Sequence, residues 1–172
     1  SLADRGPRTM AEQVAVGAVI FHDLHSDPAR DVEFDLERVV DFEGETGPYL
    51  QYAHTRCLSI LRKARDTGEL QGEVGFSEGL TLSLARAEEF ELLKVLGQFG
   101  LHLERSLTHG KASQLAHYLI DVTKAFGGFY RECKVLGEGR ELTSARLMLV
   151  EATRRVLAQG LTLLGIPLPE RM

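Results

Sequence analysis

The chain has 172 residues, 44% of them hydrophobic, with 20 Lys/Arg against 25 Asp/Glu and a formal charge of -5. That is enough apolar content for one generous packed domain, which excludes a disordered chain. The charge is uneven: residues 1–45 hold 4 basic against 11 acidic groups, a net of -7, and residues 46–172 hold 16 against 14, a net of +2. A near-neutral second region binds nucleic acid only through a local basic patch, because phosphate affinity scales with the number of backbone charges neutralised.

"MAEQVAVGAVIF", from Met10 to Phe21, is apolar and helix-compatible, and "HDLHSDPAR" after it carries turn residues. In "VEFDLERVVDFEGETG" a short helix is expected from Asp35, with Asp35 as its N-cap and Glu37 near the positive helix end. The next segment, "TGPYLQYAHTRCLSILRKAR", has the clearest helix signals. Thr46 can cap it, and Pro48 fits a first turn where a missing N–H costs nothing. Leu50, Ala53, Cys57, Ile60, Leu61 and Ala64 recur every three or four residues as a buried stripe. Its remaining faces are unusual for solvent. Tyr49, Tyr52, Arg56, Ser59 and Lys63 line one, Gln51, His54, Leu58, Arg62 and Arg65 another, and Gly68 ends the helix.

A glycine-rich, acidic loop, "DTGELQGEVGFSEGL", precedes a long helix expected from Arg86 to Leu107, with Glu88, Glu89 and Glu91 in its first turns. "THGKAS" breaks it. A helix from Ser113 to Cys133 follows, with Leu115, Leu119, Val122, Phe126, Phe129 and Tyr130 on its apolar side; Gly127-Gly128 marks a bend or an unusually close helix contact. The last helix is expected to start at Thr143 or Ser144 and run to about Leu164, where Gly165 and Pro167 stop it. Helices joined by short loops make an all-α bundle the economical architecture.

Motifs for chemistry are missing. There is no P-loop, GxGxxG, GxSxG or HExxH, so no catalytic site is expected in the chain. His22/His25 and Asp23/Asp27 read as a solvated turn rather than a metal site, and Cys133 as inert packing rather than a nucleophile. Cys57 and Cys133 form no paired pattern, which fits a reducing, cytoplasmic location. No apolar run approaches the roughly 20 residues of a membrane span, and "SLADRGPRTM" lacks the order of a signal peptide.

"FDLERVVDFEGETGPYLQYAHTRCLSILRKA", "YLIDVTKAFGGFYRECKVL", "SARLMLVEATRRVLAQGLTLLGI" and the terminal "PERM" together resemble, in order and over essentially the whole chain, the C-terminal region of class I arginyl-tRNA synthetases. The resemblance implies an all-α anticodon-binding bundle of the DALR type at 46–172, with 1–45 as the tail of the catalytic region or a connecting segment. It also implies a parent enzyme that couples arginine to tRNA(Arg) with ATP and magnesium. The HIGH-like and KMSKS-like signatures of that enzyme do not occur, so this chain alone is expected to bind no cofactor and to be inactive. A catalytic domain and tRNA(Arg) are the implied partners, and no membrane is. Gly127, where such enzymes often carry Asn or His, and "GKAS", where proline is common, depart from the pattern.

By the same resemblance Tyr130 and Met172 approach the middle anticodon base. Tyr130 brings a ring and hydroxyl, Met172 a flexible apolar side chain and the chain-end carboxylate, which can accept from the exocyclic amine of cytosine. Arg131, Lys134 and Arg146, with Arg140, Arg154, Arg155 and Arg171, are candidates for a phosphate-binding patch; Arg146 alternatively braces helix packing. Adjacent Arg154 and Arg155 point about 100° apart on a helix and are not expected to share one narrow patch. Tyr49, Gln51, Tyr52, His54 and Arg56 either face RNA or pack at the domain junction. Besides the ligase part, a freestanding RNA-binding paralogue and a helical protein-interaction domain stay open.

Overall fold

The computed structural model describes residues 9–26, 35–42, 44–75, 79 and 83–172. Among the described residues seven helices follow in order: α1 Met10–His25, α2 Leu36–Val39, α3 Gly47–Asp66, α4 Ala87–Leu96, α5 Phe99–His109, α6 Ala112–Glu132 and α7 Arg140–Leu163. There is no strand among the described residues. α6 is the hub, packing against α1, α3, α4, α5 and α7, while α3 and α7 also lie against each other. The core between them holds Leu50, Cys57, Leu61, Leu115, Leu119, Phe126, Phe129, Leu149, Leu157 and Leu161. No helix among the described residues is long and apolar enough to cross a membrane.

Local signals explain the first three helix starts. Thr9 and Glu12 form a reciprocal capping box that opens α1, Asp35 Oδ1 accepts from Glu37 N and Arg38 N at α2, and Thr46 Oγ1 accepts from Tyr49 N at α3. Gly165, at φ +73, terminates α7, and Ile166 N donates back to Leu161 O.

Four expectations need correction. α1 runs to His25, so His22 and His25 are helical: Phe21 is buried and the His25 ring stacks on it at 5.1 Å, which rewards another turn. Asp27 and the rest of that acidic turn lie outside the described residues, as does part of the glycine-rich loop. The single helix Arg86–Leu107 is two, divided at Gly97-Gln98; the Tyr118 hydroxyl donates to the carbonyls of Val95 at 2.9 Å and Leu96 at 3.4 Å, satisfying acceptors at the end of α4. α7 opens at Arg140 behind Gly139, whose φ of +89 suits glycine, and Thr143 lies buried in the first turn, accepting from Glu138 N. Finally, α6 is unbroken through Gly127-Gly128, and a Cβ at Gly128 would meet nothing within 4 Å. The close helix approaches lie elsewhere, at Gly17, Gly47 and Gly160, where a Cβ would collide with Gln51, with the Gly17 carbonyl and with Leu119.

Candidate nucleic-acid interface

The face shared by α3 and α6 carries an exposed aromatic and cationic cluster. The core stripe of α3 faces inward, which turns Tyr52 and Arg56, one helical turn apart, outward. Phe126 is buried on α6 and holds Tyr130 one turn later, ring centroids 6.1 Å apart and planes inclined by 28°. Between the two helices the Arg56 guanidinium sits 5.1 Å from the Tyr52 centroid and 5.2 Å from that of Tyr130. It donates to the Tyr130 hydroxyl at 3.4 Å and to the Tyr52 hydroxyl as well. Tyr52 and Tyr130 nevertheless keep 37% and 42% of their surface open. Rings held in place with their faces partly free are suited to stacking on unpaired bases, and the guanidinium between them is suited to phosphate.

The candidate residues fall into two sets. Tyr49 is half-buried beside α6, its hydroxyl 4.0 Å from where a Gly127 Cβ would stand, and burial raises its hydroxyl pKa above the usual value. Gln51 and His54 are not on the open face at all. Gln51 is fully buried and donates to Gln13 O and Pro167 O, because α1 and the C-terminal segment both fold over this side of α3. His54 is 5% exposed; burial, with the nearby Arg154 charge, pushes its pKa down to about 4, so it is neutral at pH 7.

Arg146 is likewise withdrawn from the surface. Its Nε donates to Glu89 Oε1 at 2.6 Å and its guanidinium nitrogen to Lys134 O at 2.7 Å, with side-chain exposures of 6% and 0% for the ion pair. Glu89 Oε2 accepts from Ala85 N and Arg86 N, both at 2.8 Å, at the start of α4. Burial works against the Glu89 charge, yet these donors and Arg146 hold its carboxyl below the ordinary carboxylate range. A carboxylate so buried demands a charged partner, and this overrides any surface role for Arg146. The junction braces the end of α6, since Arg86 also donates to Glu132 O at 3.1 Å.

Arg131 and Lys134 stay exposed, paired with Glu132 at 2.8 Å and Glu138 at 3.1 Å. Such surface pairs are worth about 1 kcal/mol or less, so either cation can exchange its partner for a phosphate at little cost. Arg154 and Arg155 both reach the Glu151 carboxylate at 2.7 Å, because three- and four-residue spacings return to the same helix face. Met172 is half-buried at the end of the segment that Pro167 anchors. Sequence reasoning missed Phe126 as the support of Tyr130, reading it only as core, and missed Glu89 as the counter-charge of Arg146. The first was signalled by the four-residue spacing of two rings; the second by nothing local, as the partners are 57 positions apart. Cys57 and Cys133 are buried, and burial raises both thiol pKa values, which suits packing better than nucleophilic chemistry.

A family model described as the DALR anticodon binding domain matches residues 50–172. The arginine–tRNA ligase of Limosilactobacillus fermentum is 43% identical over 95% of this chain and 27% of its own length, and that of Lactococcus lactis subsp. lactis 40% identical over 95% and 28%. Among solved structures, the arginyl-tRNA synthetase of Thermus thermophilus superposes with a TM-score of 0.85 at 35% identity, covering 99% of this chain and 29% of that one. That of Plasmodium falciparum gives a TM-score of 0.79 at 27% identity, over 95% and 28%. The chain thus spans little more than a quarter of the length of the curated relatives it matches.

Proposed function

The chain belongs to the DALR anticodon-binding domain family, and on that premise we propose that it grips the anticodon loop of tRNA(Arg) as the C-terminal part of an arginine–tRNA ligase. The observation that carries this reading is the Tyr52–Arg56–Tyr130 cluster, two half-open rings around a guanidinium on the α3/α6 face. Single-stranded loop bases are read by being splayed out against such rings and hydrogen-bonded along their edges. Tyr130 and Met172 take the middle base, and Arg131 and Lys134 the flanking phosphates. Gln51, His54 and Arg146 have no direct contact with RNA, since each is buried.

Residues 46–172 act as the binding module, and 1–45 as the segment leading from the catalytic region. The seating of α1 on α3 and α6, with Ala18 and Phe21 buried, supports α1 as the bridge between them. The parent enzyme, working in the cytoplasm, uses ATP and magnesium to join arginine to the tRNA. Among the described residues no group of His, Cys, Asp and Glu is arranged to hold a metal, and no chemical step is assigned to this chain's side chains.

Alanine substitution at Tyr52, Arg56 and Tyr130, with binding to an arginine tRNA measured across a salt series, tests the proposal. Each tyrosine should cost about 1–3 kcal/mol of binding, the worth of a base stacked on an aromatic ring. Arg131→Ala should instead lower the salt slope by about one phosphate contact. Binding unmoved by both tyrosine changes would overturn the reading.

A further inference from the structure

We propose that Gln51 is a positioning residue: its buried side-chain amide fixes the C-terminal segment, and with it Met172, to the packing of α1 against α3. The geometry is specific. The amide nitrogen donates to Gln13 O of α1 at 3.1 Å and to Pro167 O at 2.8 Å, so one side chain of α3 spends both hydrogens on two other parts of the chain. Backbone carbonyls only accept, and that dictates which end of the amide faces them. The fit also requires Gly17, because a Cβ there would stand 2.5 Å from the amide nitrogen. Gly47, one turn before Gln51, lets α3 approach closely enough for the reach, as its own Cβ would run into the Gly17 carbonyl.

The consequence follows from the chain's course after α7. Gly165 turns it out of the helix, Ile166 N donates back to Leu161 O at 2.9 Å, and Pro167 is the next residue, the one tied to Gln51. Beyond it Leu168 packs on the core and Pro169 is buried before the chain runs through exposed Glu170 and Arg171 to Met172. An apolar residue at 51 leaves the part-buried Pro167 O without this donor, which favours turning the carbonyl, and with it the segment, toward water. Adjacent Tyr52 points to the open face, so a single turn of α3 presents one half of the proposed base-reading surface and anchors the other. That functional consequence rests on the reading of Met172 given above; the clamp itself does not.

Methionine-methyl NMR on the full chain tests it, because there are only three methionines, and Met148, 7% exposed in the core, reports folding independently. In Gln51→Leu the Met148 signal should stay in place while the Met172 signal sharpens and moves to the position of a solvated methionine. The preference for an arginine tRNA over one with the middle anticodon cytosine changed to guanine should fall about fivefold, with salt-dependent affinity for the rest of the RNA unchanged. Gly17→Ala, which displaces the amide without removing it, should release Met172 in the same way and carries the test if Gln51→Leu does not fold. A Met172 signal unmoved in a folded variant would overturn the clamp. Release of Met172 with the base preference intact would uphold the clamp and remove Met172 from base recognition.

Discussion

Two arginines of this molecule occupy opposite extremes. Arg56 lies on the α3/α6 face between two half-open tyrosine rings, with phenol oxygens as its hydrogen-bond partners. Arg146 lies at the α4/α6/α7 junction, bound to a fully buried carboxylate and a backbone carbonyl. The lesson is that an arginine's role is set by what it would leave behind. Withdrawing Arg146 strands the Glu89 charge in the interior, whereas Arg56 can turn to a phosphate while its tyrosines remain partly hydrated.

Breaking the buried side should have the largest effect. Arg146→Ala should lower the unfolding free energy in urea by about 3–5 kcal/mol, the cost of leaving one buried ion unpaired. A loss below about 1 kcal/mol would place the junction in the same class as the surface pairs. His54 comes next. Its folded pKa of about 4 lies below the ordinary 6.5, so as pH falls through that window the unfolded chain takes a proton that the folded one refuses. Stability should therefore drop, by up to roughly 3 kcal/mol from this residue, and His54→Gln should flatten the decline measured by thermal melts between those pH values.

Glycines sharpen the contrast between packed and open helix surface. At Gly160 a Cβ would lie 2.5 Å from Leu119, so Gly160→Ala should cost about 1–3 kcal/mol despite the better helix propensity. Gly128→Ala meets nothing and should gain up to about 1 kcal/mol in the same denaturation assay. The smallest effect on folding is expected at the open face, where Tyr130→Ala should cost about 1 kcal/mol, the worth of its ring contact with Phe126. A much larger loss would make Tyr130 a core residue and weaken its assignment to RNA.

What could be read from the sequence were features whose causes are local. The Thr46 cap, Pro48, the α3 stripe, the Asp35 cap and the Gly165 stop are all decided within a few residues, and all are observed where expected. The break at Gly97 was hidden because apolar spacing continues across it, and only the distant Tyr118 reveals why the carbonyls there can leave the helix. The start of α7 was misplaced because Gly139 caps with backbone conformation rather than a side chain. On the candidate site, periodicity distinguished the face of Tyr52 and Arg56 from that of Gln51 and His54. It gave no sign that α1 and the C-terminal segment cover the second face, since the contacts involved span 38 and 116 positions.

A bundle that reads an anticodon base must tell two tRNAs apart by that base alone. The direct measurement is binding of the chain to an arginine tRNA and to the same RNA with the middle anticodon cytosine replaced by guanine, at one fixed moderate salt. Binding should weaken by at least about 1 kcal/mol on that single exchange, the low end for losing one specific base contact. Equal affinity for the two RNAs would contradict it, leaving a surface that holds RNA without reading it.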